Sequence, residues 1–323
     1  MKLADRAGLK KRARELLQKA GDMPRRLVLL HTGGVLVVNL LLSLLLMAIG
    51  SRLEDTSGLA GMQTRAFWST LQTLLLYLIP LATLLWNAAY YHIAIGLARE
   101  QPLTPGDLLE GFRHPISVLG CNAWQALQYF ARAILAALLA YAIFSVTPFA
   151  RPVEEVLRSV PTELVDGEVM LVLNDTILEA LLPHMVPLYV IAALVFLPFA
   201  LRLFYRFRLG MYLLMDGREP RCLNALRVSR WRMMGNKTAM LRLDLSFWWY
   251  YLLQALALAV CYLEAWLPAL GVELPVNGLA LGLSTYLAYA VCQLVLDLLV
   301  KNRVEVTYAL AYDAIVQAEE PQA

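Results

Sequence analysis

Charge is scarce in this chain. Of its 323 residues only 16% are Asp, Glu, Lys or Arg, while 59% are hydrophobic; ordinary soluble domains are about a quarter charged. The excess is gathered in runs long enough for a bilayer crossing, which needs about 20 apolar residues. That excludes an ordinary soluble enzyme. The net charge of +3 is too small to point to nucleic acid as a partner. The four cysteines, Cys121, Cys222, Cys261 and Cys292, form no C-x-x-C pair, which argues against a metal knuckle or a disulfide framework and leaves them as small hydrophobes. The four histidines, His31, His92, His114 and His184, lack the one-turn spacing around a Glu that zinc-protease chemistry requires. No G-x-S-x-G elbow and no G-x-x-x-x-G-K-[ST] loop occurs. No catalytic residue, cofactor or metal is therefore expected.

What is present is a succession of apolar runs. They predict an all-α, polytopic membrane helix bundle with six spans, at about 27–50, 67–97, 117–149, 185–208, 243–266 and 278–300. The first run has 24 residues, longer than the 7–15 of a secretory h-region, and reads as an anchor that stays in place. Pro80, Pro187 and Pro198 are expected to bend their helices. Trp68, Tyr90 and Tyr91 fit aromatic belts at the membrane edges. The third run is interrupted by Arg132. With Asn122, Gln125 and Gln128 it makes one polar helical stripe, which either faces the protein interior or lets Arg132 snorkel to the interface. These four residues and Asp297 form a candidate intramembrane polar cluster.

The segments between the runs differ in charge. Lys and Arg number nine in residues 1–26, two in 98–116, ten in 202–242 and two in the tail, against only Arg52, Arg65, Arg151 and Arg158 in the remaining loops. This bias predicts that the first set, with both termini, is cytoplasmic and that the acidic loop 150–183 is external. Residues 1–26 form a basic arm whose Leu3, Leu9, Leu16 and Leu17 suit either a helix lying on anionic lipid or a solvated arm. Residues 218–240 read as an amphipathic helix on the inner leaflet. Residues 301–323 read as a tail without apolar bulk. Arg99-Glu100-Gln101-Pro102 after the second run and Arg218-Glu219-Pro220 after the fourth suggest a parallel internal repeat.

The most distinctive segment runs from Ser229 through Met233, Met234, Gly235, Asn236 and Lys237 to Leu243, Asp244, Leu245, Ser246 and Phe247, with Trp248 and Trp249 following. On these residues the chain resembles a divergent member of the uncharacterised bacterial membrane family catalogued as domain of unknown function 975, with Tyr308 and Tyr312 similar to that family's tyrosine-bearing tail. The resemblance implies a fold of membrane helices and no known activity. On physical grounds Ser229, Gly235, Asn236, Lys237, Asp244 and Ser246 are a candidate structural or functional motif. Gly235 ends a helix, Asn236 tolerates unusual backbone angles, and Asp244 clamps the cationic helix to the next span. Asp297 and Lys301, four residues apart, are expected to pair. These features predict a non-enzymatic scaffold or accessory protein of the bacterial envelope that contacts anionic lipid and a membrane-protein partner. The alternative is a small-solute or lipid transporter.

Overall fold

The computed structural model describes residues 5–54, 59–158, 162–165, 168–171, 175–262 and 278–317. Its elements in chain order are α1 (Arg6–Lys19), α2 (Met23–Glu54), α3 (Leu59–Ala98), α4 (Glu110–Arg113), α5 (Pro115–Ser145), α6 (Ala150–Arg158), β1 (Thr162–Val165), β2 (Glu168–Leu171), α7 (Asp175–Phe207), α8 (Gly210–Met215), α9 (Cys222–Arg232), α10 (Lys237–Leu245), α11 (Trp248–Cys261), α12 (Gly278–Leu296) and α13 (Asn302–Gln317). A 3-10 turn precedes α4, and a π-turn at Asp297–Lys301 joins α12 to α13. The fold is all-α apart from the small antiparallel hairpin, in which Thr162 pairs with Leu171 and Val165 with Glu168.

Among the described residues five helices are long and apolar enough to cross a membrane, and a sixth span is counted if α10 and α11, bent by 61° at their junction, form one. The chain is thus a multi-pass membrane protein. Leu41, Tyr77, Leu138, Leu194 and Val291 are each between 60% and 69% exposed, an apolar surface that only lipid solvates without cost. Helices α3 and α7 continue through their prolines, Pro80 and Pro183, Pro187 and Pro198. Helix α5 is continuous across Arg132.

The chain divides into two compact units, Met1–Cys121 with Arg208–Ala323, and Asn122–Phe207. In the second unit, Phe144, Ala150 and Val153 pack against Leu181, Met185, Leu188 and Ile191 of α7, so the amphipathic α6 lies on the start of α7. In the first unit the centre is α13, where Val304, Val306, Tyr308, Ala309, Ala311, Tyr312, Ile315 and Val316 are all buried. This corrects the expectation of a tail without apolar bulk. Lys301, Arg303 and Glu305 look like the end of a span, whereas Lys301 and Glu305 are taken up by partners inside the unit. The basic arm is likewise a packed helix. Leu9, Ala13 and Leu16 of α1 are buried, and Ala13 and Leu16 share a core with Leu27, Tyr90, Ile93 and Val306. The apolar side of α1 is thus covered by protein rather than by lipid. Tyr90 and Tyr91 also turn inward: Tyr90 is 4% exposed and Tyr91 packs edge-on against Tyr212. Cys121 is buried but Cys292 is exposed. The end of the fifth apolar run, 263–266, lies outside the described residues.

The tightest approach in the first unit is at Gly111 of α4, where an added Cβ would stand 1.9 Å from the carbonyl oxygen of Leu85. Backbone cannot yield as a side chain does, and overpacking of this kind costs about 1–3 kcal/mol. Gly111→Ala is expected to lower the melting temperature in detergent by several degrees. Gly33→Ala, where the new methyl meets open space, is expected to leave it unchanged or raised. Differential scanning fluorimetry on the two variants checks this.

Candidate functional site

Interior polar groups of the first unit form a network centred on Asp297, which is 2% exposed. Its Oδ2 accepts from Thr32 Oγ1 at 2.8 Å and from Lys301 Nζ at 3.1 Å. Its Oδ1 accepts from Tyr250 Oη at 3.0 Å, Gln293 Nε2 at 3.2 Å and Gln254 Nε2 at 3.4 Å. The donors come from α2, α11, α12 and the π-turn. Such a turn places one extra residue per helical turn and is found at functional sites more often than chance. Lys301 also donates to Thr32 Oγ1 at 3.2 Å and meets His31 Nδ1 at 3.1 Å. Because an ammonium only donates, His31 Nδ1 accepts and its ring proton sits on Nε2. That nitrogen is buried with no hydrogen-bond partner. Next to this cluster Tyr90 Oη donates to Asn302 Oδ1 at 2.5 Å, and Asn302 Nδ2 donates to the Pro24 carbonyl at 2.8 Å.

A second cluster surrounds Asp244. Arg208 reaches its Oδ1 at 3.4 Å, and Tyr308 donates to the same oxygen. The Arg208 guanidinium lies 4.4 Å from the centre of the Tyr308 ring, close enough for a cation–π contact. Tyr251 and Tyr308 share a hydroxyl contact of 2.8 Å, and Tyr212 donates to Glu305 at 3.3 Å. Asp244 thus acts as a clamp on the residue that follows α7 and on α13.

Arg99 builds a third cluster by forking twice. It donates to Asp216 at 2.5 and 3.0 Å and to Asp313 at 2.7 and 3.3 Å. Tyr312 and Arg218 donate to Asp216 as well, each at 2.8 Å. The two segments suggested as a repeat, 99–102 and 218–220, therefore meet on one carboxylate. Each follows a helix ended by a left-handed residue, Glu100 at φ 57° and Gly217 at φ 70°. Glu100 tolerates this conformation while its carboxylate binds Arg12 at 3.0 Å and also Lys19, both from α1.

The sequence motif maps onto the first unit. Ser229 is fully buried and its Oγ accepts from the Leu209 amide at 3.2 Å. Gly235 has φ 86°, which favours glycine, and follows the end of α9. Asn236 has φ −97° and precedes α10, so Gly235 alone takes the unusual angle; Asn236 Nδ2 instead donates to the Arg232 carbonyl at 2.9 Å. Lys237 starts α10. Ser246 follows α10, and its carbonyl accepts from Lys10 Nζ at 2.9 Å, while Arg6 donates to the Arg242 carbonyl at 3.3 Å. Cations of α1 thus meet the negative end of the α10 dipole. Of the candidate intramembrane cluster, Asn122, Gln125, Gln128 and Arg132 share a half-buried face of α5 in the second unit. Arg132 donates to Gln128 Oε1 at 2.7 Å and to its carbonyl at 2.9 Å. Asp297 belongs to the first unit and to the separate network above.

Comparison with protein-family models, curated proteins and solved structures finds no match.

The residues that sequence reasoning missed, Thr32, Tyr250, Gln254 and Gln293, had a signal. Gln293 lies four residues before the expected Asp297–Lys301 pair, and Tyr250 and Gln254 are four apart, which places each set on one helical face. His31-Thr32 interrupts an otherwise apolar run. Among the described residues no group of three or more His, Cys, Asp or Glu side chains is placed to hold a metal ion.

Two outcomes follow. Removing one partner of a buried ion pair costs about 3–5 kcal/mol because the other is left unpaired. Asp297→Asn and Lys301→Gln should each lower the melting temperature, and the double variant should lose much less than the sum; additive losses in a double-mutant cycle would remove Asp297–Lys301 as the centre of the network. The second outcome concerns acid. Burial opposes the charge on Asp216, yet hydrogen bonds from Arg99, Tyr312 and Arg218 hold its carboxyl below the usual range. The bond from Lys19 does the same for Glu100. A depressed carboxyl stabilises the fold above its unfolded value of about 4 and loses that contribution as pH falls through the folded value. Melting temperature should hold between about pH 7 and 5 and fall below about pH 4, with a shallower fall in Asp216→Asn.

Proposed function

We propose that this chain is a non-enzymatic integral membrane protein that serves as a scaffold or accessory component of the bacterial envelope, with both termini cytoplasmic. The observation that carries the reading is the closure of the interior network. Asp216, Asp244, Asp297, Glu305 and Asp313 each accept from donors of the chain itself. Groups spent on one another hold an arrangement fixed. Two cavities, of about 470 and 350 Å³, flank α1 and are lined by residues such as Lys19, Met23, Leu97 and Glu100, or Arg14, Arg25, Asn302 and Arg303. They do not open on Asp297.

The outward face of α9 supplies a contact surface. Leu223, Trp231 and Met234 are 55%, 62% and 59% exposed, with Arg227 and Arg230 exposed beside them. Trp and Arg are the side chains that dominate binding energy at protein interfaces, and the same mixture suits an anionic inner leaflet. The excess of Lys and Arg on the segments assigned to the inside supports the orientation. The jobs done by Ser229, Gly235, Asp244, Tyr308 and Tyr312 support membership of the uncharacterised family that the sequence resembles.

A second reading, a proton-linked transporter, is favoured by one feature: the π-turn at Asp297–Lys301 beside a buried His31 nitrogen without a partner. Chemical crosslinking in native membranes, followed by quantification of the retained proteins, separates the two. The scaffold reading expects a defined partner that is lost at least tenfold in the Arg227→Ala, Trp231→Ala double variant, with folded yield unchanged. Retention indifferent to the α9 face, together with proton flux in liposomes that Asp297→Asn abolishes, overturns it in favour of transport.

A further inference from the structure

Helix α1 has cations on two sides. Arg12 and Lys19 pair with Glu100 beyond the end of α3. Lys10 and Arg14, four residues apart, share the other side. There they line a cavity of about 110 Å³ together with Arg303, Phe247 and Trp249. No acidic side chain lines it. The acids closest in sequence are engaged elsewhere: Asp5 accepts from the Gly8 amide, Glu15 pairs with Arg12, and Glu305 accepts from Tyr212. Like charges four apart on a helix destabilise it, so the cluster has a cost. Burial, with the charges of Arg14 and Arg6, holds the Lys10 ammonium below its ordinary value; an acid beside it would act in the opposite direction. Lys10 is fixed in place by the Ser246 carbonyl at 2.9 Å and by the Phe247 ring, whose centre is 4.0 Å away. Arg14 and Arg303 are exposed. They also line the neighbouring cavity of about 350 Å³, where the acid Asp22 stands 3.9 Å from Arg25.

We infer that Lys10, Arg14 and Arg303 bind a phosphate group between α1 and the start of α13, and that the phosphate belongs to an anionic membrane phospholipid. Guanidinium forks match phosphate oxygens in pairs, and an ammonium adds a point charge. A cavity needs about 10–15 Å³ to admit one water, so 110 Å³ admits a phosphate group. The lipid source follows from the surroundings. Val291, Val295 and Leu299 are exposed along α12 and the π-turn, and acyl chains are what such residues face in a bilayer. Arg303 follows just past the turn. Trp249 is exposed at the cavity itself, and Trp favours the headgroup level. A free phosphate would use none of these apolar neighbours. The inference needs only that the chain spans a membrane, so it stands whichever of the two readings above holds.

The test uses the full-length protein in detergent, with native mass spectrometry and melting curves. Dioleoyl phosphatidylglycerol, dioleoyl phosphatidylcholine and inorganic phosphate are added separately. The first copy of phosphatidylglycerol should be retained at least tenfold more than phosphatidylcholine. Arg14→Gln and Arg303→Gln should each cut that retention fivefold or more. Neither change removes an ion pair among the described residues, so both variants should melt as the wild type does without lipid. Lys11→Gln, exposed on the same helix but outside the cavity lining, should retain the lipid as the wild type does. Equal retention of the two lipids by the wild type, retention unchanged in Arg303→Gln, or an equal loss in Lys11→Gln overturns the site. Inorganic phosphate that raises the melting temperature as much as phosphatidylglycerol, and loses this effect in Arg303→Gln, keeps the phosphate chemistry and overturns the lipid source.

Discussion

A carboxylate inside an apolar bundle must be surrounded by donors or it loses its charge. Asp297 meets this constraint with five hydrogen bonds drawn from α2, α11, α12 and the π-turn. Each of those bonds fixes a helix. Thr32 sets the rotation of α2, Tyr250 and Gln254 that of α11, and Lys301 the point where α12 passes into α13. Van der Waals packing alone discriminates poorly between helix rotations when lipid tails are as apolar as the core. A satisfied polar group does discriminate, because any other rotation leaves it bare. The same logic recurs at Asp244 and at Asp216, each drawing at least one donor from a tyrosine of α13.

This explains why α13 occupies the centre of the first unit despite its charges. Tyr308 and Tyr312 are four residues apart and share a face, and they reach Asp244 and Asp216 respectively. Asp313 completes the fork of Arg99. A tyrosine buries a large ring while keeping one polar tip that can be satisfied. A helix built in this way tolerates neither plain lipid nor plain water around it, and it finds both kinds of contact between α1, α3 and α8. The cations of α1 then close the assembly from outside by binding Glu100 and the end of α10.

Much of the fold was legible in the sequence. Long apolar runs gave the membrane helices, and the spacing of Asp297 and Lys301 gave their pair. The fate of the segments beyond the runs was less legible, for a physical reason. Hydropathy averages over side chains and cannot tell a charge facing water from one paired inside a protein. Lys301, Arg303 and Glu305 look the same on either reading, so a central helix passed for a tail. Tyr90 and Tyr91 look like belt residues for the same reason: an amphipathic ring suits a headgroup layer and a polar interior equally well. What identifies the interior is the presence of matched partners at helical spacing on several segments. Asp216 and Asp313 become meaningful only once Arg99 is placed between them.

Asn122, Gln125, Gln128 and Arg132 show the converse case. Their shared face was visible from spacing, but spacing did not reveal what lay opposite. In the first unit, interior cations come matched: Arg99 has two carboxylates, Arg208 has Asp244 and Lys301 has Asp297. In the second unit Arg132 finds Gln128 one turn away on its own stripe. The stripe satisfies its one charge in part from its own helix, which is why i, i+4 spacing made it legible while the networks between helices stayed hidden.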